Sequence, residues 1–286
     1  MVNINGYEIT SGADLTDADL SGADLSGIDL SNIKLKRANL SGTKLSGANF
    51  NGSDLTDVDL SGATNLNQAY FDSSTILKGV EFSDTDLYGV NFSGVDLTGA
   101  KFTGVTNLNQ AHFDSSTILK EVEFADTDLY GVNFSGVDLT GAKFAGATNL
   151  SQAYFDSSTI LKEVEFADTD LSGFTFYGLD LTGASFTGSN LQETNFQSSD
   201  LSGAKFTGVT NLNGAYFDSS TILKEVEFAD TDLTFVNFNG KDLTGVKFSG
   251  ATNLSQAYFD SSTILKEAEF ADTDLTFVNF NGKDLT

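Results

Sequence analysis

The chain has no cysteine, no proline and no tryptophan, and it carries one histidine and one methionine among 286 residues. Without cysteine, disulfides, thiolate metal centres and cysteine nucleophiles are excluded. Basic residues are scarce: 15 stand against 40 acidic ones, a formal charge of −25. That balance disfavours direct binding to nucleic acid or an anionic membrane and favours either a basic partner or a well-solvated surface. The opening MVNINGYEITS has no basic stretch, no apolar h-region and no cleavage site, and no later run is apolar enough to span a bilayer. The expectation is a soluble, cytoplasmic chain that binds no membrane.

What the sequence has instead is a period. From Leu15 a large apolar residue returns every five positions, through Leu20, Leu25, Leu30, Leu35, Leu40 and Leu45 to Phe50, Leu55 and Leu60. Allowing isolated one-residue insertions, the series reaches Leu285, every member Leu, Phe or Ile. Neither a helix nor a plain strand has that period. Taking this residue as i, position i−2 is small (Ala13, Ala18, Val90) and i−1 polar (Asp14, Asp19, Asn91). In, out, in is the alternation of a short strand. The other two positions favour Ser, Thr, Asn and Gly, as in Ser21-Gly22, and can turn a corner.

Longer spacings say how many sides close a turn. Leu66, Leu108, Leu150, Leu212 and Leu254 lie 42, 42, 62 and 42 residues apart. The odd interval is longer by four pentapeptides yet stays in phase, so four units make one coil. Sorted by every fourth unit, one wall reads Leu60, Phe82, Phe102, Phe124 and the next Leu66, Leu87, Leu108, Leu129. The third reads Phe71, Phe92, Phe113, Phe134, and the fourth alternates Ile76 with Leu97 and Ile118 with Leu139. Two facing Phe walls and two facing aliphatic walls would fill a square interior. Stacked at about 4.8 Å, about 13 coils would extend about 60 Å.

Two extra residues occur in every second coil. The period places one between Leu60 and Leu66 and the other between Ile76 and Phe82, and predicts bulges at both, with Leu77, Leu119, Leu161, Leu223 and Leu265 tucked inward. On the first wall the outward positions alternate in charge, Glu81, Lys101, Glu123, Lys143, Glu165, and the inserted coil contributes neutral Ser185 before Lys205. The second wall is expected to alternate Asp86, Asn107, Asp128, Asn149, and the fourth Asp96, Thr117, Asp138, Thr159, an alternation that keeps like charges from stacking directly.

Units such as GADLS, GANFN, RANLS and GVDLT resemble the A(D/N)Lxx repeats of the pentapeptide-repeat family. The resemblance covers nearly the whole chain. It implies an all-β fold, a right-handed quadrilateral β-helix of about 13 coils, with residues 1–14 as a starter or cap segment and 15–286 as one continuous solenoid. It also implies a bacterial source; that the chain is not an enzyme is expected from the missing catalytic parts, set out below. One subgroup of the family mimics DNA and protects type II topoisomerases, which makes a DNA-mimicking modulator of gyrase the alternative to a structural or protein-binding role.

No catalytic constellation emerges. His112 takes the outward slot filled elsewhere by Tyr70, Tyr154, Tyr216 and Tyr258, and a regular solenoid supplies no evident pocket or lid. The acidic pairs Asp126 with Asp128 and Asp168 with Asp170 lack the glycine-rich nonapeptide of calcium-binding β-rolls and read as solvated. No cofactor or metal is expected. Tyr88 and Tyr130, with Phe235 and Phe277 in place of corner glycines Gly89 and Gly131, are candidates for a protein-binding surface. So are the aspartates Asp86, Asp96, Asp128 and Asp138, the residues DNA mimicry would need. Lys241 and Lys283 stand where Val95 and Val137 stand in earlier copies, and each is expected to snorkel or to distort its coil. Phe174 and Leu179 place bulk at i−2 beside the inserted coil. Ile4 and Ile9 continue the spacing backwards as a partial starter coil. The uncapped FNGKDLT ending suggests truncation of a longer array, or end-to-end pairing of copies through Leu275, Phe280 and Leu285.

Overall fold

In the computed structural model, residues 2–280, Lys283 and Leu285 are described. Asn281, Gly282, Asp284 and Thr286 of the FNGKDLT ending lie outside the described residues. The chain falls into two compact units, Met1–Lys143 with Ala147–Thr159, and Phe144–Gly146 with Ile160–Thr286.

Both units are parallel β-helix. Each pentapeptide contributes one bridging residue at i−1, paired in parallel with a residue 20 to 22 positions on: Asp14 with Lys34, Asp24 with Lys44 and Glu81 with Lys101 in the first unit, Ser185 with Lys205 in the second. The flanking i−2 and i side chains point inward, so Ala18, Leu20, Ala23 and Leu25 are buried. The corner is a four-residue turn. The N–H of Ala23 donates to the Leu20 carbonyl at 3.1 Å, and the residue two beyond the central one takes the left-handed conformation, as Gly22 does at φ 64°. Glycine, Asn and Asp enter that conformation at least cost, which is why they crowd the corners.

The phenylalanines stack as the columns require. In the first unit Phe82 lies on Phe102 with ring centroids 5.2 Å apart and meets Phe92 of the facing wall edge-on at 5.6 Å and 68°. In the second, Phe176 lies on Phe196 at 5.3 Å and meets Phe186 edge-on at 74°. Each buried ring contributes roughly 1.5–3 kcal/mol by removal from water, and offset and edge geometries suit the ring quadrupole. Phe174, buried at i−2, packs on Phe176 at 4.4 Å.

The structure corrects the fourth wall. Its central residue in the longer coils is Leu77, Leu119, Leu161, Leu223 or Leu265, each buried, while Ile118, Ile160, Ile222 and Ile264 are exposed. Ile76 occupies the outward bridging slot between Asp54 and Asp96, and Thr75 and Thr117 are the buried i−2 residues. The extra residue therefore falls before the isoleucine, within Asp72-Ser73-Ser74-Thr75. No residue of that corner has positive φ, and a corner without a left-handed residue needs one more residue to turn. Asp72 closes it, its Oδ1 accepting from Ser74 N (3.0 Å) and Ser74 Oγ (2.6 Å), and Thr75 Oγ1 donates inward to the Phe50 carbonyl at 3.1 Å.

The second wall is corrected too. Thr106 and Thr148, not Asn107 and Asn149, bridge to Asp86 and Asp128. The asparagines are the inserted residues, left-handed at φ 56°, each leading into a one-turn 3-10 helix, Leu108–Gln110 or Leu150–Gln152. Where Gly214 replaces that glutamine the 3-10 turn is absent. Gly214 takes φ 74° itself, and Asn211 takes the outward bridging slot opposite Asn190, asparagine against asparagine.

The N-terminus is not a partial coil. Strands β1 (Val2–Ile4) and β2 (Tyr7–Ile9) pair antiparallel, joined by Asn5 and Gly6 at φ 50° and 89°. Asn-Gly with both φ positive is the favoured two-residue hairpin turn. The Tyr7 hydroxyl accepts from Asp19 N at 3.2 Å and ties the hairpin to the first coil.

Candidate functional site

The candidate aspartates are heavily bonded. Asp86 Oδ1 accepts from Tyr88 N at 3.0 Å and from Asn107 Nδ2 at 2.9 Å. Asp128 does the same with Tyr130 N and Asn149 Nδ2. Asp86 and Tyr88 share a shallow pocket of about 360 Å³ with Asn65, Asn67, Gln68 and Asn107. Asp96 and Asp138 lie on a different wall. Asp96 accepts from Thr98 N and Oγ1 at 3.1 and 2.6 Å and pairs with Lys78 at 3.0 Å. Partial burial alone would raise its pKa, but those hydrogen bonds and the Lys78 charge outweigh it and hold the carboxyl below the ordinary value. Asp138 has the same balance with Thr140 and Lys120.

That lysine pairing escapes the five-residue period. Lys36–Asp54, Lys78–Asp96 and Lys120–Asp138 in the first unit, and Lys162–Asp180 and Lys224–Asp242 in the second, all lie between 3.0 and 3.1 Å. The partners stand 18 residues apart, from a corner to the next coil's outward slot. The expected ladder is present as well: Lys101 meets Glu81 at 3.4 Å and Lys143 meets Glu123 at 3.2 Å. The sequence signal was there, a lysine directly after Leu35 and after each fourth-wall leucine of the longer coils, but in the longer coils it becomes meaningful only once Leu77 and its equivalents are placed inward.

The corner aromatics are displayed, not used as lids. Tyr88 and Tyr130 are exposed, and Phe235 and Phe277 are 60% and 93% exposed. Both phenylalanines hold left-handed backbone, φ 60° and 64°, a conformation that costs a bulky residue about 1–3 kcal/mol. Phe277 borders a small cleft of about 80 Å³ with Leu254, Ala257 and Phe259. Leu275 and Leu285 are exposed, whereas the matching Leu233 and Leu243 are fully buried. Phe280 is half-buried and meets Phe270 edge-on at 5.4 Å.

Lys241 departs from expectation. It neither snorkels nor breaks its corner: the residue is 3% exposed, and its Nζ is buried without a hydrogen-bond partner among the described residues. Burial pushes its pKa below the ordinary value, opposed by the charge of Asp218. Lys283, by contrast, reaches the Thr263 carbonyl at 3.3 Å. A cavity of about 520 Å³ opens beside Lys241. His112 takes the outward slot of the tyrosine column, bridging to Asn91. Among the described residues, no group of three or more His, Cys, Asp or Glu is placed to hold a metal ion, and no helix is long and apolar enough to cross a membrane.

No curated protein matches the chain. Among solved structures it is similar to HetL, a pentapeptide repeat protein involved in heterocyst differentiation regulation in the cyanobacterium Nostoc sp. strain PCC 7120. The identity is 22%, 92% of each chain is covered, and the TM-score is 0.23. It is similar to a pentapeptide repeat protein of the Arabidopsis thaliana thylakoid lumen at 31% identity, covering 43% of this chain and 74% of that one, with a TM-score of 0.20. It is also similar to QnrB1, a plasmid-mediated fluoroquinolone resistance protein, at 17% identity, covering 92% and 91%, with a TM-score of 0.25. The sequence profile described as pentapeptide repeats (8 copies) matches residues 10–32, 33–73, 64–104, 117–159, 176–221, 210–250 and 227–264. A second, pentapeptide repeats (9 copies), matches residues 87–133. With more than half of its length matched by the first profile, and with its parallel bridges recurring every four pentapeptides, the chain belongs to the pentapeptide-repeat family.

Proposed function

We propose that this protein is a non-catalytic binding platform, a right-handed quadrilateral β-helix of about 13 coils that presents corner aromatics to a protein partner in the bacterial cytoplasm. The observation that carries this reading is the pair Phe235 and Phe277. Each holds a conformation suited to glycine while leaving its ring in solvent. A ring kept at a strained, exposed position without covering the core is a feature that binding explains and stability does not. The partner surface that fits is apolar at the aromatic contact and basic around it, given the charge of −25. The test is cross-linking and affinity capture with the whole chain and with a Phe235→Gly/Phe277→Gly chain whose circular dichroism spectrum is unchanged. Loss of a partner with the double variant is expected; an unchanged set of captured proteins would overturn the reading.

Mimicry of DNA toward a type II topoisomerase is the weaker reading. Phosphate-like display needs unpaired negative charge, yet Asp54, Asp96, Asp138, Asp180 and Asp242 are each ion-paired with a lysine. A gyrase supercoiling assay separates the two: inhibition or protection at stoichiometric protein would favour mimicry over the aromatic platform.

A further inference from the structure

In a chain of formal charge −25, one wall of the first unit is uncharged. The outward slots of its third wall read Asn49, Tyr70, Asn91, His112, Asn133 and Tyr154, with no acid, lysine or arginine among them. The same slots on the other walls hold Glu81 and Lys101, Asp86, and Asp96. Tyr70 and Tyr154 are exposed, and so is His112. The rings stand on a fixed base: the inward phenylalanines one residue on, from Phe50 to Phe155, form a single file with neighbouring centroids 5.3 to 6.1 Å apart. The asparagines between the rings are oriented as well. Asn91 Oδ1 accepts from Ser93 N and Asn133 Oδ1 from Ser135 N, both at 3.0 Å, which turns each Nδ2 into a held donor. Among the described residues those two Nδ2 atoms and the hydroxyls of Tyr70 and Tyr154 make no hydrogen bond. Asn49 Nδ2, by contrast, is spent on Asp29 at 3.2 Å. The second unit repeats the arrangement with Asn195, Tyr216, Asn237 and Tyr258.

The shape of this face selects its occupant. One side of a coil is three residues wide and six slots span five coil rises, so the strip is about 10 Å wide and about 24 Å long. That is far short of the roughly 800 Å² per partner that a stable interface between globular surfaces needs, and it suits a single extended chain. Aromatic rings recur every second coil, about 9.6 Å apart. A polyproline II helix returns the same face every third residue, about 9.3 Å along its axis. Its carbonyls are unpaired and need donors, and its pyrrolidine rings pack on aromatic side chains. We propose that the third wall binds a proline-rich segment of a partner protein in the polyproline II conformation. Its prolines sit between successive rings of the Tyr70, His112 and Tyr154 file, and its carbonyls accept from Asn91 and Asn133 Nδ2. The absence of charge in these slots matches an uncharged ligand, and the ligand's preformed extended conformation leaves little ordering entropy to offset. The strip uses neither Phe235 nor Phe277, so a negative result here leaves the platform at those corners untouched.

The test is isothermal titration calorimetry of the full chain with a dodecaproline peptide, with a Gly-Ser peptide of the same length and cellohexaose as comparators. Dodecaproline is expected to bind and the other two are not. Replacing the rings of both units, Tyr70→Ala/Tyr154→Ala/Tyr216→Ala/Tyr258→Ala, should keep the circular dichroism spectrum, because all four are exposed, and should weaken binding at least about tenfold. A second variant, Asn91→Asp/Asn133→Asp/Asn195→Asp/Asn237→Asp, keeps each turn acceptor, replaces each donor by a carboxylate and should also weaken binding. No binding of dodecaproline at millimolar concentration, equal binding of the Gly-Ser peptide, binding of cellohexaose instead, or unchanged affinity in both variants overturns the proposal. So does a dimer in sedimentation that is lost in the tyrosine variant while no peptide binds, since the wall would then face a second copy.

Discussion

Lys78 Nζ meets Asp96 Oδ2 at 3.0 Å, a contact that reaches from the corner after an inward leucine to the outward slot one coil later. The pair recurs at Lys36–Asp54, Lys120–Asp138, Lys162–Asp180 and Lys224–Asp242. Both side chains keep contact with solvent, so each pair contributes about 0.2–1 kcal/mol and is screened by salt. Asp96→Asn keeps the acceptor for Thr98 and removes the charge. Urea denaturation should show a loss of that size at low salt that disappears at high salt; a loss unaffected by salt would assign it to the turn and not to the ion pair.

Phe235→Gly should stabilise the protein by about 1–2 kcal/mol, since glycine enters the left-handed region without the Cβ penalty. A rise in thermal midpoint checks this. A fall would show that the ring shields the coil edge, and would remove the case for display.

Lys241 gives a pH dependence of definite sign. Its pKa in the folded chain lies below the ordinary lysine value, so the folded state binds fewer protons than the unfolded one in the window between the two. The destabilisation caused by Lys241 is full below the folded pKa and shrinks as pH rises toward 10.5. Lys241→Val should therefore be more stable than the parent at pH 7, with the gap narrowing at alkaline pH. Denaturant midpoints at pH 7 and above 9 measure it.

Asp114 works in the opposite direction. The hydroxyl of Ser116 is the largest influence and, together with the backbone N–H groups of Ser116 and Gly94 and the hydroxyl of Thr117, outweighs the opposing effect of burial and holds its pKa down to about 2. A carboxyl depressed on folding stabilises fully above its unfolded pKa, and the stabilisation is lost as pH falls through the folded value. Asp114→Asn should lower stability at pH 7 and match the parent near pH 2. Parallel stability curves over that range would exclude the linkage.

Much of this fold is legible from Leu15 to Leu285 because one inward residue in five must be large, and here it is always Leu or Phe. What escaped reading are the one-residue choices. In DSSTIL, isoleucine and leucine fit the period equally well, and the decision rests on Asp72 closing a corner that has no left-handed residue. In TNLNQ the asparagine looks like a strand residue, and only the contrast between Gln110 and Gly214 shows when it becomes an insertion. The Asn5-Gly6 turn was readable, but the five-residue spacing of Ile4 and Ile9 masked it. Of the candidate site, the exposed aromatics could be picked out from their place at glycine corners. The isolation of Lys241 could not, because it depends on which neighbouring carboxylates are already occupied.

The parallel bridges also set how such a chain can be assembled. Within each unit partners lie 20 to 22 residues apart, so each coil of a unit closes a loop of nearly constant length onto the one before it. The entropic toll of closure is then modest and uniform, contact order stays low despite the all-β composition, and ordering can spread coil by coil from any segment that has formed. A defect in one corner should consequently fray its neighbours first, leaving distant coils folded.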